Sequence, residues 1–416
     1  MDINALGIAI LLILFLLWNL DFVVTLLNLR ALRPEVPAEF EGIIPASEHQ
    51  KSLAYARASA RFGLVESLVS LSTLLVFWLI GGFGWLDSLC RSWLGDGIPA
   101  GLLFLALLFI GNHLLHLPLS IYSTFVLEER FGFNRTTPRL FITDEIKNLL
   151  LSAALGLPLL AGLLWIFQNV PQAWLWAWLL FTTVQLLLTW AAPTWILPLY
   201  NRFTPMEEGP TRSAIESMAE KCGFPLGEIS VMDGSKRSTK ANAYFTGFGK
   251  TKKIALYDTL VEEQTRDELV AVLAHEIGHF KCRHIIKRIA MAVMQTAVLF
   301  FLLGRVIDSQ SPFARELFDA FFVPEISAHV GLVLFAILFS PVSRILSVLG
   351  NRSSRQHEFE ADAYAAQVTG QPEALISALK KLSVKNLSNL TPHPARVFLD
   401  HSHPPVLIRI AALRSL

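Results

Sequence analysis

Seven long apolar stretches alternate with polar segments along this chain. They cover residues 5–27, 63–85, 101–126, 149–167, 174–199, 289–306 and 330–349. A helix needs about 20 residues to cross ~30 Å of hydrocarbon, and each stretch comes close to that length or exceeds it. The pattern predicts seven transmembrane helices. Pro118, Pro158 and Pro193 fall inside them and imply kinks or broken ends, which membrane helices tolerate where neighbours re-satisfy the backbone. The first stretch follows no basic n-region and precedes no small-residue cleavage site, so it reads as a retained span rather than a signal peptide.

Charge alternates with the spans. The first loop carries Arg30, Arg33, Lys51, Arg57 and Arg61, and the third carries Arg130, Arg135, Arg139 and Lys147. The stretch 201–287 and the tail after residue 351 are also basic. The intervening loops hold little beyond Arg91, Arg305 and Arg315. The positive-inside rule then places the N-terminus outside and the polar segments in the cytoplasm.

Between residues 205 and 287 the periodicity becomes that of a soluble domain. Residues 213–221 read as a short helix. Residues 228–233, 241–247 and 253–260 read as strands, the last two joined by Gly247-Phe-Gly-Lys-Thr251. Thr265-Arg-Asp-Glu268 fits a capping box, with Thr265 as N-cap. The helix it opens meets no breaker and is free to run directly into the sixth span. The expected organisation is spans one to five in 1–200, a catalytic subdomain in 201–288, spans six and seven in 289–350 and a second catalytic segment in 351–416.

Composition supports a membrane class. Hydrophobic residues make up 53% and charged residues 17%, against about a quarter charged in soluble domains. A net charge of +1 gives no electrostatic footprint for nucleic acid. Cys90, Cys222 and Cys282 lie far apart and form no CxxC pair. That argues against a disulfide framework or a cysteine zinc site, and free thiols favour the reducing side of a membrane.

The chemistry centres on His275-Glu276-Ile277-Gly278-His279. Residues four apart share one helix face, so two imidazoles can grip one Zn²⁺. Glu276 can then act as general base toward the attacking water. A catalytic zinc usually takes three protein ligands. The third must come from elsewhere, and Arg355-Gln-His-Glu-Phe-Glu-Ala-Asp-Ala-Tyr364 offers His357, Glu358, Glu360 and Asp362. Spacing does not choose among them. Glu358 and Asp362 share a face, so one can bind metal while the other orients a ligand histidine. Glu360 reads by default as part of a solvated acidic face. A transporter with a structural zinc would need a closed, four-ligand shell, and a dead scaffold would not need Glu276.

HExxH followed by ExxxD resembles the membrane-integral gluzincins, and within them the type I CAAX prenyl proteases. The likeness also rests on Phe125-Val-Leu-Glu-Glu-Arg-Phe-Gly-Phe-Asn134, Pro198-Leu-Tyr-Asn-Arg-Phe-Thr-Pro205, Ala241-Asn-Ala-Tyr-Phe-Thr-Gly-Phe248 and His401-Ser-His-Pro-Pro405. The resemblance implies a mainly α, polytopic membrane protein with about seven transmembrane helices and a small α+β gluzincin-like zinc metalloprotease domain. It implies one Zn²⁺ per chain on His275, His279 and Glu358, with Asp362 behind a ligand. It implies that His403 donates to the oxyanion, that Arg409 supports the site, and that Asn242 and Ala243 lie on an edge strand that pairs with substrate. The expected partners are the bilayer and a membrane-associated or lipidated peptide. The expected location is a bacterial inner membrane or the ER membrane, with the catalytic domain cytoplasmic. The seven helices would enclose a water-filled chamber, which would account for Asn19, Asp21, Glu66, Asn112, His113 and His116 within spans. The alternative is a membrane-protein quality-control protease of the related heat-shock branch.

Overall fold

The computed structural model describes residues 3–246 and 252–416, with residues 244–246 described by backbone alone. The joining segment Gly247-Phe-Gly-Lys-Thr251 lies outside the described residues. Seven helices are long and apolar enough to span a membrane: Ala5–Arg30, Ala46–Leu79, Ile98–Phe131, Pro138–Asn169, Ala173–Leu199, His284–Ile307 and Ala328–Thr369. Each matches one predicted stretch. Several outrun it, because hydropathy marks only the part facing hydrocarbon. The last continues for 42 residues, so the expected third-ligand segment is the far end of the seventh span. Of the three prolines, Pro118 and Pro158 lie within unbroken helix, and only Pro193 coincides with a break. The fifth span finishes in a π turn, Ala192–Ile196, around Pro193, and a 3-10 turn, Leu197–Leu199.

Four short strands form one sheet: β1 (Phe203–Pro205), β2 (Leu226–Met232), β3 (Ala243–Thr246) and β4 (Lys252–Tyr257). Their order is β1-β2-β4-β3, with β2 parallel to β4 and both outer pairs antiparallel. β1 escaped the sequence reading because three residues ending in proline carry no usable period. Residues 258–260 are not strand; Asp258–Glu263 is helical. There the Asp258 carboxylate accepts the amides of Ser235 and Thr259 at 2.9 and 2.8 Å and turns the chain.

The capping box forms. Thr265 N–H donates to Glu268 Oε2 at 2.7 Å, and Glu268 N–H donates to Thr265 Oγ1 at 3.4 Å. The helix it opens, Arg266–Lys281, stops short of the sixth span. Arg283 takes a left-handed conformation, φ 57°, and a new helix begins at His284. The expected continuous helix is therefore broken into two.

Among the described residues, apolar side chains gather in a small cluster of Leu127, Phe131, Phe133 and Leu387 and in two large cores. One packs the sheet and the motif helix against Phe40, Ile215, Ile376 and Ile410. The other lies at the far end, where Trp78, Phe83, Phe104, Phe318 and Phe321 lock the short helices Gly82–Leu94 and Pro312–Ala320 between span ends. Trp78 stacks on Phe321 at 4.0 Å, and its indole N–H donates to Ala320 O at 2.8 Å. Between the cores the spans are thinly covered, with 6–17% of each apolar window buried. Total accessible surface is 21394 Å². A compact protein of this mass exposes about 16,000 Å². Polar pairs line the middle of the bundle: His113 Nε2 lies 3.3 Å from Glu145 Oε2, and Ser70 Oγ lies 2.9 Å from His116 Nε2. Inside spans, polar groups of this kind pair with one another or face a cavity rather than lipid.

Candidate metal centre

Two helices build the centre by crossing closely. Gly278 sets the approach: a Cβ there would lie 3.0 Å from Ala361 Cα and 3.1 Å from Ala361 O. With no side chain in the way, the motif helix presents His275 and His279 directly to Glu358. Ligand atoms of these three residues lie within 4.8 Å of one another. His275 Nε2 sits 3.2 Å from His279 Nε2, and the Glu358 oxygens sit 3.5 and 3.4 Å from those nitrogens. Two imidazoles and one carboxylate converging on a point is a donor set suited to a divalent metal such as zinc. His357 and Glu360, the other candidates on this stretch, lie outside that convergence.

Behind the donors stands a buried ion-pair network. His275 Nδ1 lies 2.8 Å from Asp362 Oδ1. Arg409 grips the same carboxylate twice, Nε to Oδ2 at 2.8 Å and Nη2 to Oδ1 at 2.6 Å. Its Nη1 also lies 3.5 Å from Glu358 Oε2. Asp362 therefore fixes the His275 ring while Arg409 holds Asp362. Burial pulls the His275 imidazole down, but hydrogen bonds to Asp362 and Glu358 outweigh it and raise its pKa to about 9. The negative field that attracts this proton attracts a cation equally well.

Glu276 is half-buried and lines the same cavity, of about 150 Å³, with Asn242, Ala243, His275, Glu358, His403 and Arg409. Burial pushes its carboxyl above the usual range, against the pull of His275 and His279. No hydrogen bond or ion pair ties Glu276 among the described residues, so its oxygens are open to the cavity. His403 comes from the turn before the last helix, and its Nε2 lies 3.5 Å from Glu358 Oε1. Ser402 Oγ lies 3.0 Å from His403 Nδ1.

β3 is an edge of the sheet. Asn242 carbonyl accepts from Tyr257 N–H of β4 at 3.1 Å. Backbone groups alternate direction along a strand, so those of Ala243 face the open side. There the Ala243 amide donates to Asn242 Oδ1 at 2.9 Å.

The cavity and its surroundings thus bring together all nine residues singled out from the sequence. Two neighbours went unflagged. Ser402 was visible only as a member of the His401-Ser-His motif. His284 meets His279, with their Nδ1 atoms 2.9 Å apart. On an unbroken helix, residues five apart point about 140° away from each other. The break at Arg283 makes the contact, and no sequence period announces it.

Comparison with known proteins agrees in every region. Residues 25–202 match the family described as CAAX prenyl protease N-terminal, five membrane helices. Residues 205–416 match peptidase family M48. The chain is 37% identical over 401 residues to CAAX prenyl protease 1 of Saccharomyces cerevisiae, covering 91% of this chain and 88% of that one. It is 33% identical over 428 residues to the CAAX prenyl protease 1 homolog of Homo sapiens, covering 92% and 89%. The crystal structure of S. mikatae Ste24p superposes with a TM-score of 0.92 at 34% identity, covering 99% of this chain and 100% of that one. These relatives do not favour the heat-shock alternative. A multi-pass bundle, a site built for metal and these matches lead to one conclusion: the chain belongs to peptidase family M48, as a membrane metalloendopeptidase of the type I CAAX prenyl protease kind.

Proposed function

We propose that the chain holds one Zn²⁺ on His275, His279 and Glu358 and hydrolyses peptide bonds of prenylated, membrane-associated substrates. The observation that carries this reading is the convergence of those three donors in one cavity with Glu276 and the open edge of β3. When bound, zinc polarises the scissile carbonyl and makes water acidic enough to be deprotonated near neutral pH. Glu276 takes that proton and hands it to the leaving amine. The raised pKa of its carboxyl suits a group that must both accept and release a proton.

His403 donates to the carbonyl oxygen as negative charge builds there. That role needs the ring proton on Nε2, the nitrogen beside Glu358, with Nδ1 left to accept from the Ser402 hydroxyl 3.0 Å away. Arg409 and Asp362 hold His275 in register. The substrate lies extended along β3 and pairs with the outward backbone of Ala243, displacing Asn242 Oδ1. The relatives' name, CAAX prenyl protease 1, supports a prenylated substrate. Basic loops beside the catalytic segments support a cytoplasmic site, and likeness to the yeast and human proteins supports the ER membrane.

The test pairs metal content with turnover. Detergent-purified protein is assayed for bound zinc and for cleavage of a fluorogenic farnesylated CAAX peptide, beside Glu276→Gln. One zinc in both proteins is expected, with kcat at least ~10³-fold lower in the variant. Zinc-free wild type would overturn the reading, and so would an active Glu276→Gln.

A further inference from the structure

The imidazole of His279 faces two ways. Its Nε2 looks into the metal centre, 3.2 Å from His275 Nε2 and 3.4 Å from Glu358 Oε1. Its Nδ1 looks out, 2.9 Å from Nδ1 of His284. His284 Nε2 in turn lies 2.9 Å from Glu360 Oε2. The His284 side chain is 1% exposed, and its ring stacks on His357 at 3.9 Å and 13°. Nothing in the proposed chemistry uses His284 or Glu360.

Proton bookkeeping along this row has one solution. A neutral histidine that gives Nε2 to a metal carries its proton on Nδ1. His279 Nδ1–H must then donate to His284 Nδ1. His284, accepting there, carries its own proton on Nε2 and donates it to Glu360. Every nitrogen has a complementary neighbour, and the row ends on a carboxylate. We propose that His284 and Glu360 are positioning residues for the metal ligand His279, as Asp362 is for His275. The inference rests on the metal reading above. It gives Glu360 a role in place of the solvated face expected from sequence. Each ligand histidine is then oriented from behind by an anion, directly for His275 and through a second imidazole for His279. Such partners fix the tautomer and make the ligand more basic.

The same row settles a competing possibility. Cys282, His284 and Glu360 also offer ligand atoms within 4.8 Å of one another. A metal on Nε2 of neutral His284 would move its proton to Nδ1. Two N–H groups would then face each other across 2.9 Å. The row therefore admits one metal per chain rather than two.

The test measures zinc affinity of the purified full-length chain by chelator competition, with the visible spectrum of the cobalt-substituted protein as a second readout. His284→Phe keeps the ring volume and the stack on His357 but removes the acceptor. It is expected to weaken zinc binding by about 10–100-fold, and His284→Asn, with an amide oxygen near the place of Nδ1, to recover part of that loss. Glu360→Ala is expected at the low end of the same range, because the carboxylate is 38% exposed, and Glu360→Gln to restore binding. Both alanine and phenylalanine variants should shift the cobalt spectrum, which a merely structural role would leave in place. Glu360→Ala alters a partly exposed side chain and decides the matter alone if His284→Phe does not fold. Zinc affinity and cobalt spectrum unchanged in Glu360→Ala would overturn the proposal, as would two zinc ions per wild-type chain. Wild type without any zinc would instead sink the metal reading itself.

Discussion

The helix Ala328–Thr369 carries the same three-residue cluster at both ends. At the far end His329 Nε2 lies 2.6 Å from Asp87 Oδ1, and Arg91 Nε lies 3.0 Å from Asp87 Oδ2. At the metal end His275 Nδ1 lies 2.8 Å from Asp362 Oδ1, and Arg409 Nε lies 2.8 Å from Asp362 Oδ2. Both aspartates are buried, and the clusters stand roughly 50 Å apart along the rod. What differs is the nitrogen each histidine has left over. His329 Nδ1 is buried without a hydrogen-bond partner among the described residues, pressed against Gly101, where a Cβ would come within 2.9 Å. His275 Nε2 opens onto His279, Glu358 and a cavity. A histidine–aspartate–arginine cluster is thus a fastening by itself. It becomes part of a reactive centre only when the second ring nitrogen meets further donors and space.

That contrast can be broken most sharply by the same substitution at both ends. His275→Ala is expected to abolish zinc binding and turnover together, read by metal analysis and peptide cleavage. His329→Ala is expected to keep stoichiometric zinc and near-normal kcat while costing about 1–3 kcal/mol of stability, read by thermal unfolding, because Asp87 Oδ1 loses its donor while Oδ2 keeps Arg91. Zinc loss in His329→Ala would show that the two ends are not independent. Next in size, His403→Ala should keep zinc and lower kcat by about 10²–10³ with little change in KM. A rise in KM alone would make His403 a binding residue. Asp362→Asn should weaken zinc by about 10–100-fold, measured against a chelator. Asp87→Asn, the matching change at the far end, should leave zinc affinity untouched. An effect of similar size follows from acid. His275 is drawn up to about 9, so below that pH a proton competes with the metal for the ring. Zinc affinity should fall by up to roughly tenfold per pH unit on acidification from about pH 8 to about pH 6. A flat profile would remove His275 from the ligand set.

Much of this was legible in the chain. Seven apolar stretches and a strict alternation of loop charge specify the bundle, because length and hydropathy are what a bilayer selects. HExxH puts His275 and His279 on one helix face, because four residues is about a helical turn. The choice of Glu358 over Glu360 was not legible from spacing. Both lie on one helix, and the close packing permitted by Gly278 against Ala361 brings the first to the donors. The contact of His284 with His279 was hidden for a similar reason. It depends on a single left-handed residue, Arg283, a conformation that arginine gives no sign of adopting. The partnership of Asp87 with His329 joins residues 242 apart, which no local period reports.

The water-filled chamber expected between the spans also poses a question of permeability. A hollow bundle open at both ends would be a pore, and ions would run down their gradients through it. The far core is packed: Trp78, Phe318 and Phe321 are fully buried beside the short helices Gly82–Leu94 and Pro312–Ala320. Indole and phenyl rings packed this closely leave no file of water for an ion to follow. A chamber closed there would be a cup rather than a pipe, holding water within a membrane without conducting across it.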